Sequence, residues 1–416
     1  MAAPRIETLY TAIDVGSSKV AVVIAGAEAD GTLHALGTGV REAMGLRLGN
    51  VVDLQAVDRC VREALEQAER VAGVEVQQAW VSFGGPSVVS RSVLNEMAHG
   101  RGQIEPDDVD ELHERARNAL PRDERAILHA QPVFYVLDGN AGVREPLGLM
   151  ADRFGVEVHL VEADRGPVAN LISAVRAAHV DVRDVVSTTM AAGIACLTDE
   201  QRELGTALID VGAALTRVGV FAGGMLAGVV TLPTGGADIT DAIANQFGTR
   251  RGIAERVKCF YGSALSSPRD HQDSIALGEM EGADSEAKIT RAELNAVIRA
   301  RLDRVAPDVG RALRQLGFDD PSERQILLCG GGAELKGLSE YLQGALGGTV
   351  RLAKARALGG MPMAHDRLGF ATAIGTIIYA ANPSPDVRPS GGSERRADEG
   401  ERPWWQRLTA MWQRGA

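Results

Sequence analysis

The chain has 416 residues, 45% of them hydrophobic, and a formal net charge of −11. That length exceeds what one hydrophobic core usually organises, so two or more domains are expected, and the hydrophobic fraction is that of a soluble globular protein. The acidic balance leaves no basic face to dominate the surface, which excludes general nucleic-acid binding.

Leu9 to Ile13 and Val20 to Ile24 read as buried strands joined by the turn Asp14-Val15-Gly16-Ser17-Ser18-Lys19, with a third strand over Thr32 to Val40. Gly, Ser and Lys between paired strands suit a phosphate loop, in which backbone N–H groups and hydroxyls face oxygens and the ammonium supplies charge. Taken alone, the same pattern is also an ordinary turn. Apolar spacing at Val57, Val61, Leu65, Ala68 and Val71 predicts a helix from Asp53 to Ala72, and Val74 to Ser82 reads as a strand. From Gly84-Gly85-Pro86 to about Asp164 the texture changes. Short strands (Val88 to Leu94, Ala126 to Asp138, Val156 to Val161) flank one polar helix that opens at Glu105-Pro106-Asp107-Asp108 and ends near Leu120. This is a small α+β insert with no phosphate loop, either a scaffold extension or an interaction module.

Asp164 to Ala178 reads as helix and Val185 to Ala195 as a strand and turn. Leu204 to Ala214 then repeats the first signature: apolar strand, Asp210-Val211-Gly212, small residues Ala213 and Ala214, and a second strand from Thr216 to Phe221. The two D-V-G units lie 196 residues apart. Two such loops facing each other across a cleft clamp a nucleotide's phosphates, and Asp14 or Asp210 is placed to hold Mg²⁺ through water, since Mg²⁺ keeps most of its hydration shell. Gly235-Gly236 leads into a helix from Ile239 to Phe247, and Ile253 to Tyr261 is a second helix with Glu255 and Lys258 on one face. That pair also suits a plain surface ion pair. Ser263 to Ala287 is polar and poorly patterned. Thr290-Arg291-Ala292-Glu293 resembles a capping box opening a helix to about Leu316, which Pro307 is expected to break or kink. The strand Gln325 to Cys329 runs into Gly330-Gly331-Gly332, where backbone can approach a flat or anionic ligand closely. Cys60, Cys196, Cys259 and Cys329 show no metal-ligand spacing, and with no signal-peptide pattern four free thiols in a reducing cytoplasm are expected.

Asn382 to Pro403 is rich in Pro, Gly, Ser and charge, the composition of a disordered linker, with a reach of roughly 25 Å as a coil. Behind it, Arg402 to Ala416 holds three of the four tryptophans. On a helix, Trp404, Trp405, Leu408, Met411 and Trp412 fall on one arc about 120° wide, with Gln406, Arg407, Thr409, Gln413 and Arg414 opposite. The tail is too short to span a bilayer and suits lying in the interface of an anionic membrane. Packing on the protein's own core is the alternative, which the long connection disfavours.

The ordered set D-V-G-S-S-K, D-V-G after a strand, G-G before a helix, A-E-x-x-K and C-G-G-G-A-E-L-K-G-L resembles the actin and sugar-kinase ATPase superfamily. More narrowly it is similar to the FtsA family of bacterial cell-division proteins, on the early insert, the phrase Leu197 to Gly205 and the tail. The resemblance implies an α/β, actin-like two-lobed ATPase fold with an inserted α+β subdomain and a disordered linker to a C-terminal amphipathic helix. It divides the chain into lobe I (1–83, 164–195 and 346–381) and the insert (84–163). The core of lobe II takes 196–246 and 321–345 and its outer subdomain 247–320. The linker is 382–403 and the membrane helix 404–416.

By position, the resemblance assigns Asp14, Gly16, Ser17, Ser18 and Lys19 to the first phosphate loop and Asp210, Gly212, Ala213 and Ala214 to the second. It puts Gly235 and Gly236 beside the nucleotide, Glu255 and Lys258 by the ribose and adenine, and Gly330, Gly331 and Gly332 on the adenosine side. It implies ATP and Mg²⁺ as ligands, self-association through the insert and docking of the FtsZ C-terminal peptide on the outer subdomain. The tail would tether the FtsZ ring to the inner face of the cytoplasmic membrane, where later division proteins are recruited. The second loop departs from the family's D-I-G-G-G-T: Ala213, Ala214 and Leu215 replace G-G-T, and Arg217 replaces an acid. ATP binding with at most weak hydrolysis is the expectation. A pilus-assembly scaffold and a kinase or phosphatase of the same superfamily are the alternatives.

Overall fold

The structure, a computed structural model, describes residues 6–120, 125–277, 287–319 and 324–388. The described residues divide into two compact units, one of those up to Val89 with Ala163–Ala381, the other of Ser90–Glu162 with those from Asn382.

The first unit contains the same sheet twice. Thr8–Val15, Lys19–Ala27 and Leu33–Glu42 form an antiparallel meander, and Gln78–Phe83 and Asp181–Ser187 extend it in parallel beyond Thr8–Val15. Thr206–Val211, Thr216–Ala222 and Met225–Leu232 repeat the meander, with Gln325–Cys329 and Thr349–Leu352 added in parallel. Parallel neighbours need a crossover, and helices supply it. In the first half this is Leu54–Ala72, capped by the Asp53 carboxylate at the Ala56 N–H (3.0 Å) and ended by Gly73 at φ 71°. It lies so close on the meander that a Cβ at Gly39 would stand 1.8 Å from the Ala64 carbonyl oxygen.

Two expectations change here. Val185 to Ala195, read as a strand and turn, is a strand to Ser187 and then the helix Thr188–Cys196, every residue of which is buried. A helix covered on all sides has no polar face, so its period leaves no trace in the sequence. The same holds for Ala371–Ala381, which packs against it. Pro307 does not break its helix, which runs from Arg291 to Gln315. Leu302 and Ala306 before the proline and Val309, Ala312 and Leu313 after it are held in one apolar core, and that burial outweighs the lost backbone bond.

In the second unit the strand order is Val89–Gln103, Met150–Asp164, Arg125–Leu137, Asn140–Val143. The helix Pro106–Ala119 lays Val109, Leu112 and Ala116 into the same apolar cluster as Phe154, Val156 and Leu160. The expected free linker starts otherwise: Val387 is buried in this cluster. Its N–H donates to the Ala130 carbonyl (2.8 Å) and its carbonyl accepts from Arg117 Nε (3.0 Å). Trp404, Trp405, Leu408, Met411 and Trp412 lie outside the described residues, as does the linker from 389.

Candidate nucleotide site

Both hairpins close with the same bond. Gly16 N–H donates to the Lys19 carbonyl at 3.0 Å and Gly212 N–H to the Leu215 carbonyl at 2.9 Å. A side chain at either glycine would crowd that carbonyl, at 3.2 and 2.9 Å. Each turn therefore keeps glycine. Asp14 and Asp210 sit one step before the strand ends, at matching register: Asp14 neighbours Ser82 on the parallel strand, Asp210 neighbours Cys329. Ser82 Oγ donates to the Asp14 carboxylate. Ser18 is exposed at the turn tip and Ser17 half-buried, whereas Leu215 is buried, its Cδ1 facing Gly49.

The glycine turns converge on these hairpins. Gly236 N–H donates to the Gly212 carbonyl (2.9 Å) and Ala237 N–H to that of Ala213 (2.8 Å), so the helix Gly236–Phe247 begins seated on the second loop. A Cβ at Gly235 would stand 2.4 Å from the Ala213 oxygen. Gly330, at φ 81°, passes so near Asp210 that a Cβ would meet Oδ1 at 2.2 Å, and Gly332 is pressed as closely on Val211. Gly331 faces open space, and beside it Gly369 lies against the Lys19 ammonium.

Lys258 Nζ donates to the Gly236 carbonyl (2.9 Å), Thr240 Oγ1 (2.8 Å) and Glu255 Oε2 (2.7 Å). The pair is thus no plain surface bridge; it braces the Gly235-Gly236 turn. Burial opposes the Glu255 charge, but hydrogen bonds from Lys258 and Thr240 outweigh it and hold the carboxyl below its ordinary range. Lys19 rests its ammonium 3.8 Å from the centre of the Phe370 ring. Burial lowers its pKa, against the pull of Asp14 and Glu334, and burial raises that of Asp14, against Ser82, Lys19 and Arg217.

Every nominated loop residue is brought into this one region. Sequence reasoning missed Ser82, Gly84, Thr240, Gly369 and Phe370. Arg217 was marked in the sequence only as a charge reversal in the second loop, with no partner.

The residues fit a polyphosphate: two glycine hairpins, an open backbone at Gly331 and the Lys19 ammonium beside it. They do not fit a divalent ion at Asp210. One carboxylate oxygen of Asp210 is 3.0 Å from Arg217 Nη1, and the other faces Gly330. Among the described residues no group of three His, Cys, Asp or Glu is arranged to hold a metal.

A concavity of about 510 Å³ lies between the helices Gly236–Phe247 and Arg291–Gln315. Phe247, Val297 and Ala300 line it together with Glu293, Arg304 and Arg301, whose Nη2 lies 2.9 Å from Asp238.

Two family models match the chain: cell division protein FtsA over residues 207–375, and the SHS2 domain inserted in FtsA over 85–162. The cell division protein FtsA of Rhizobium meliloti (strain 1021) is 33% identical over 384 residues, covering 89% of this chain and 87% of that protein. The FtsA of Pseudomonas aeruginosa is 27% identical over 411 residues, 98% of each chain. Among solved structures, a PilM-PilN type IV pilus biogenesis complex covers 91% of this chain and 100% of its own at TM-score 0.63 and 18% identity. MreB5 of Spiroplasma citri bound to AMPPNP covers 90% and 96% at TM-score 0.56 and 14% identity. These two show the fold, which is actin-like. With the duplicated sheets, the inserted unit and a relative one-third identical over most of both chains, this chain belongs to the FtsA family of cell-division proteins.

Proposed function

We propose that this chain is a self-associating, ATP-binding scaffold that helps assemble the Z ring. It holds FtsZ filaments at the cytoplasmic face of the cell membrane at the division site and serves there to recruit later division proteins. Family membership supplies the division role and sets the pilus-assembly and kinase alternatives aside.

The observation that carries the nucleotide part is the meeting of both D-V-G hairpins with Gly235-Gly236, Gly330 to Gly332 and Lys19. A fold neighbour, MreB5, binds a nucleotide analogue, which supports the same reading. The groove lined by Phe247, Val297 and Arg304 suits a partly apolar peptide with an acidic residue, the chemistry we assign to the FtsZ C-terminus. Among the described residues no helix is long and apolar enough to cross a membrane. Membrane attachment is therefore assigned to Trp404, Trp405, Leu408, Met411 and Trp412. Five partly immersed side chains yield a few kcal/mol after ordering costs, so one tail binds reversibly and self-association supplies avidity.

Co-sedimentation with anionic vesicles and FtsZ tests the scheme. The full chain should carry FtsZ into the pellet, and deletion of 402–416 should abolish both while leaving circular dichroism unchanged. Unchanged pelleting after the deletion refutes the anchor, and vesicle binding without FtsZ recruitment refutes the tether.

A further inference from the structure

Arg217 stands directly opposite Asp210 across the second hairpin. Its Nη1 lies 3.0 Å from Asp210 Oδ2, with side-chain exposures of 14% and 7%, so the ion pair is largely withdrawn from water. The remaining donors go elsewhere: Nε and Nη2 both donate to the Gly84 carbonyl, at 2.9 and 2.6 Å. Gly84 follows the strand Gln78–Phe83 of the first sheet, so one guanidinium joins the two halves of the unit. The approach needs glycine there, since a Cβ at Gly84 would stand 2.5 Å from Arg217 Nε. The guanidinium charge also reaches Asp14. Asp14, Asp210 and Glu334 thus stand against Lys19, Arg217 and Arg367, three acidic groups and three basic ones, before any metal arrives. A dication added at Asp210 would meet a fixed positive charge at hydrogen-bond distance from its ligand.

We propose that Arg217 does here the work expected of a divalent cation at Asp14 and Asp210. It neutralises Asp210 and ties the second phosphate loop to the first half of the unit, so the site takes its nucleotide without a metal at Asp210. The nucleotide half of this rests on the ATP reading above; the metal half does not.

The test titrates the full chain with Mn²⁺ alone, read by electron paramagnetic resonance, and then measures ATP affinity in Mg²⁺ and in EDTA. Wild type should show no sub-millimolar Mn²⁺ site that Asp210→Asn removes. Arg217→Ser should gain one, and the double variant Arg217→Ser/Asp210→Asn should lose it. ATP affinity should change less than about threefold on chelation in wild type and at least about tenfold in Arg217→Ser. A wild-type Mn²⁺ site lost in Asp210→Asn overturns the proposal. So does a folded Arg217→Ser that gains no site, or a wild-type ATP affinity that collapses in EDTA. Should Arg217→Ser fail to fold, the wild-type and Asp210→Asn arms decide alone. ATP failing to bind in either buffer, with the Mn²⁺ arms as expected, refutes the nucleotide reading and leaves the assignment of Arg217 standing.

Discussion

Replacing Gly375 by alanine sets two magnitudes against each other. Gly375 lies within the helix Ala371–Ala381, where alanine is favoured over glycine by about 1 kcal/mol. The added Cβ, however, would stand 1.7 Å from the Ala191 carbonyl oxygen and 2.5 Å from its carbon. The helices would have to part by about 1.3 Å merely to reach the shortest separation real Cβ atoms show. Thr188–Cys196 is buried along its whole length, and Ala371–Ala381 is buried at all but Ile378 and Ala381, so neither has room to retreat. A gap of 0.5–1 Å already forfeits a quarter to a half of each dispersion well. Overpacking of this kind costs about 1–3 kcal/mol or more, with backbone on one side of the clash. A backbone clash of this depth belongs at the upper end of that range, about 3 kcal/mol, so packing wins and the net loss is about 2 kcal/mol. The assay is urea unfolding of the full chain by circular dichroism. Gly344→Ala serves as the control, because it lies in the helix Leu338–Leu346 with nothing within 4 Å of its added Cβ. The control should gain roughly 0.5–1 kcal/mol. A Gly375→Ala variant as stable as the control would refute the packing argument.

The insert should be acid-sensitive. Burial lowers His113 and His159 to about 4 and holds His129 well below its ordinary value. Folded histidines then stay neutral while unfolded ones take protons near pH 6.5, so stability is full above about pH 6.5 and falls towards pH 4. The loss is on the order of 3 kcal/mol for each of His113 and His159. Hydrogen exchange of the insert at stepped pH measures it, and flat protection from pH 7 to 4.5 contradicts it. Val387→Ala should cost about 1–3 kcal/mol in the insert and speed exchange of its own N–H, which now bonds Ala130; unchanged exchange would mean the segment is not a plug. Lys258→Ala should weaken ATP binding about tenfold or more with little change in circular dichroism, since the Gly236 carbonyl, Thr240 and Glu255 lose the charged donor that ties them together. Equal affinity would show that the brace is dispensable. Arg304→Glu should reduce binding of the FtsZ C-terminal peptide without altering ATP affinity, read by fluorescence anisotropy; an unaffected peptide places its site elsewhere.

The sequence by itself determined whatever depends on near neighbours. The two D-V-G hairpins are legible because two short apolar runs and a glycine turn are written within about twenty residues. The apolar stripe of the helix Leu54–Ala72 is legible in the same way. The tryptophan arc from Trp404 to Trp412 is likewise a local pattern. Tertiary structure alone decided what depends on contacts across the chain. It buried the helix Thr188–Cys196 at every residue and Ala371–Ala381 at all but Ile378 and Ala381, and so erased their period. It carried the helix through Pro307, and it drew Val387 out of an apparent linker into the core of the insert. It also gave Arg217 its role. In the sequence that residue is a charge reversal in a phosphate loop; only folding brings Gly84, 133 positions away, within reach of the guanidinium that holds Asp210. Local pattern sets which elements form, while the free energy of an ion pair or a buried methyl group is fixed by partners that only folding brings together.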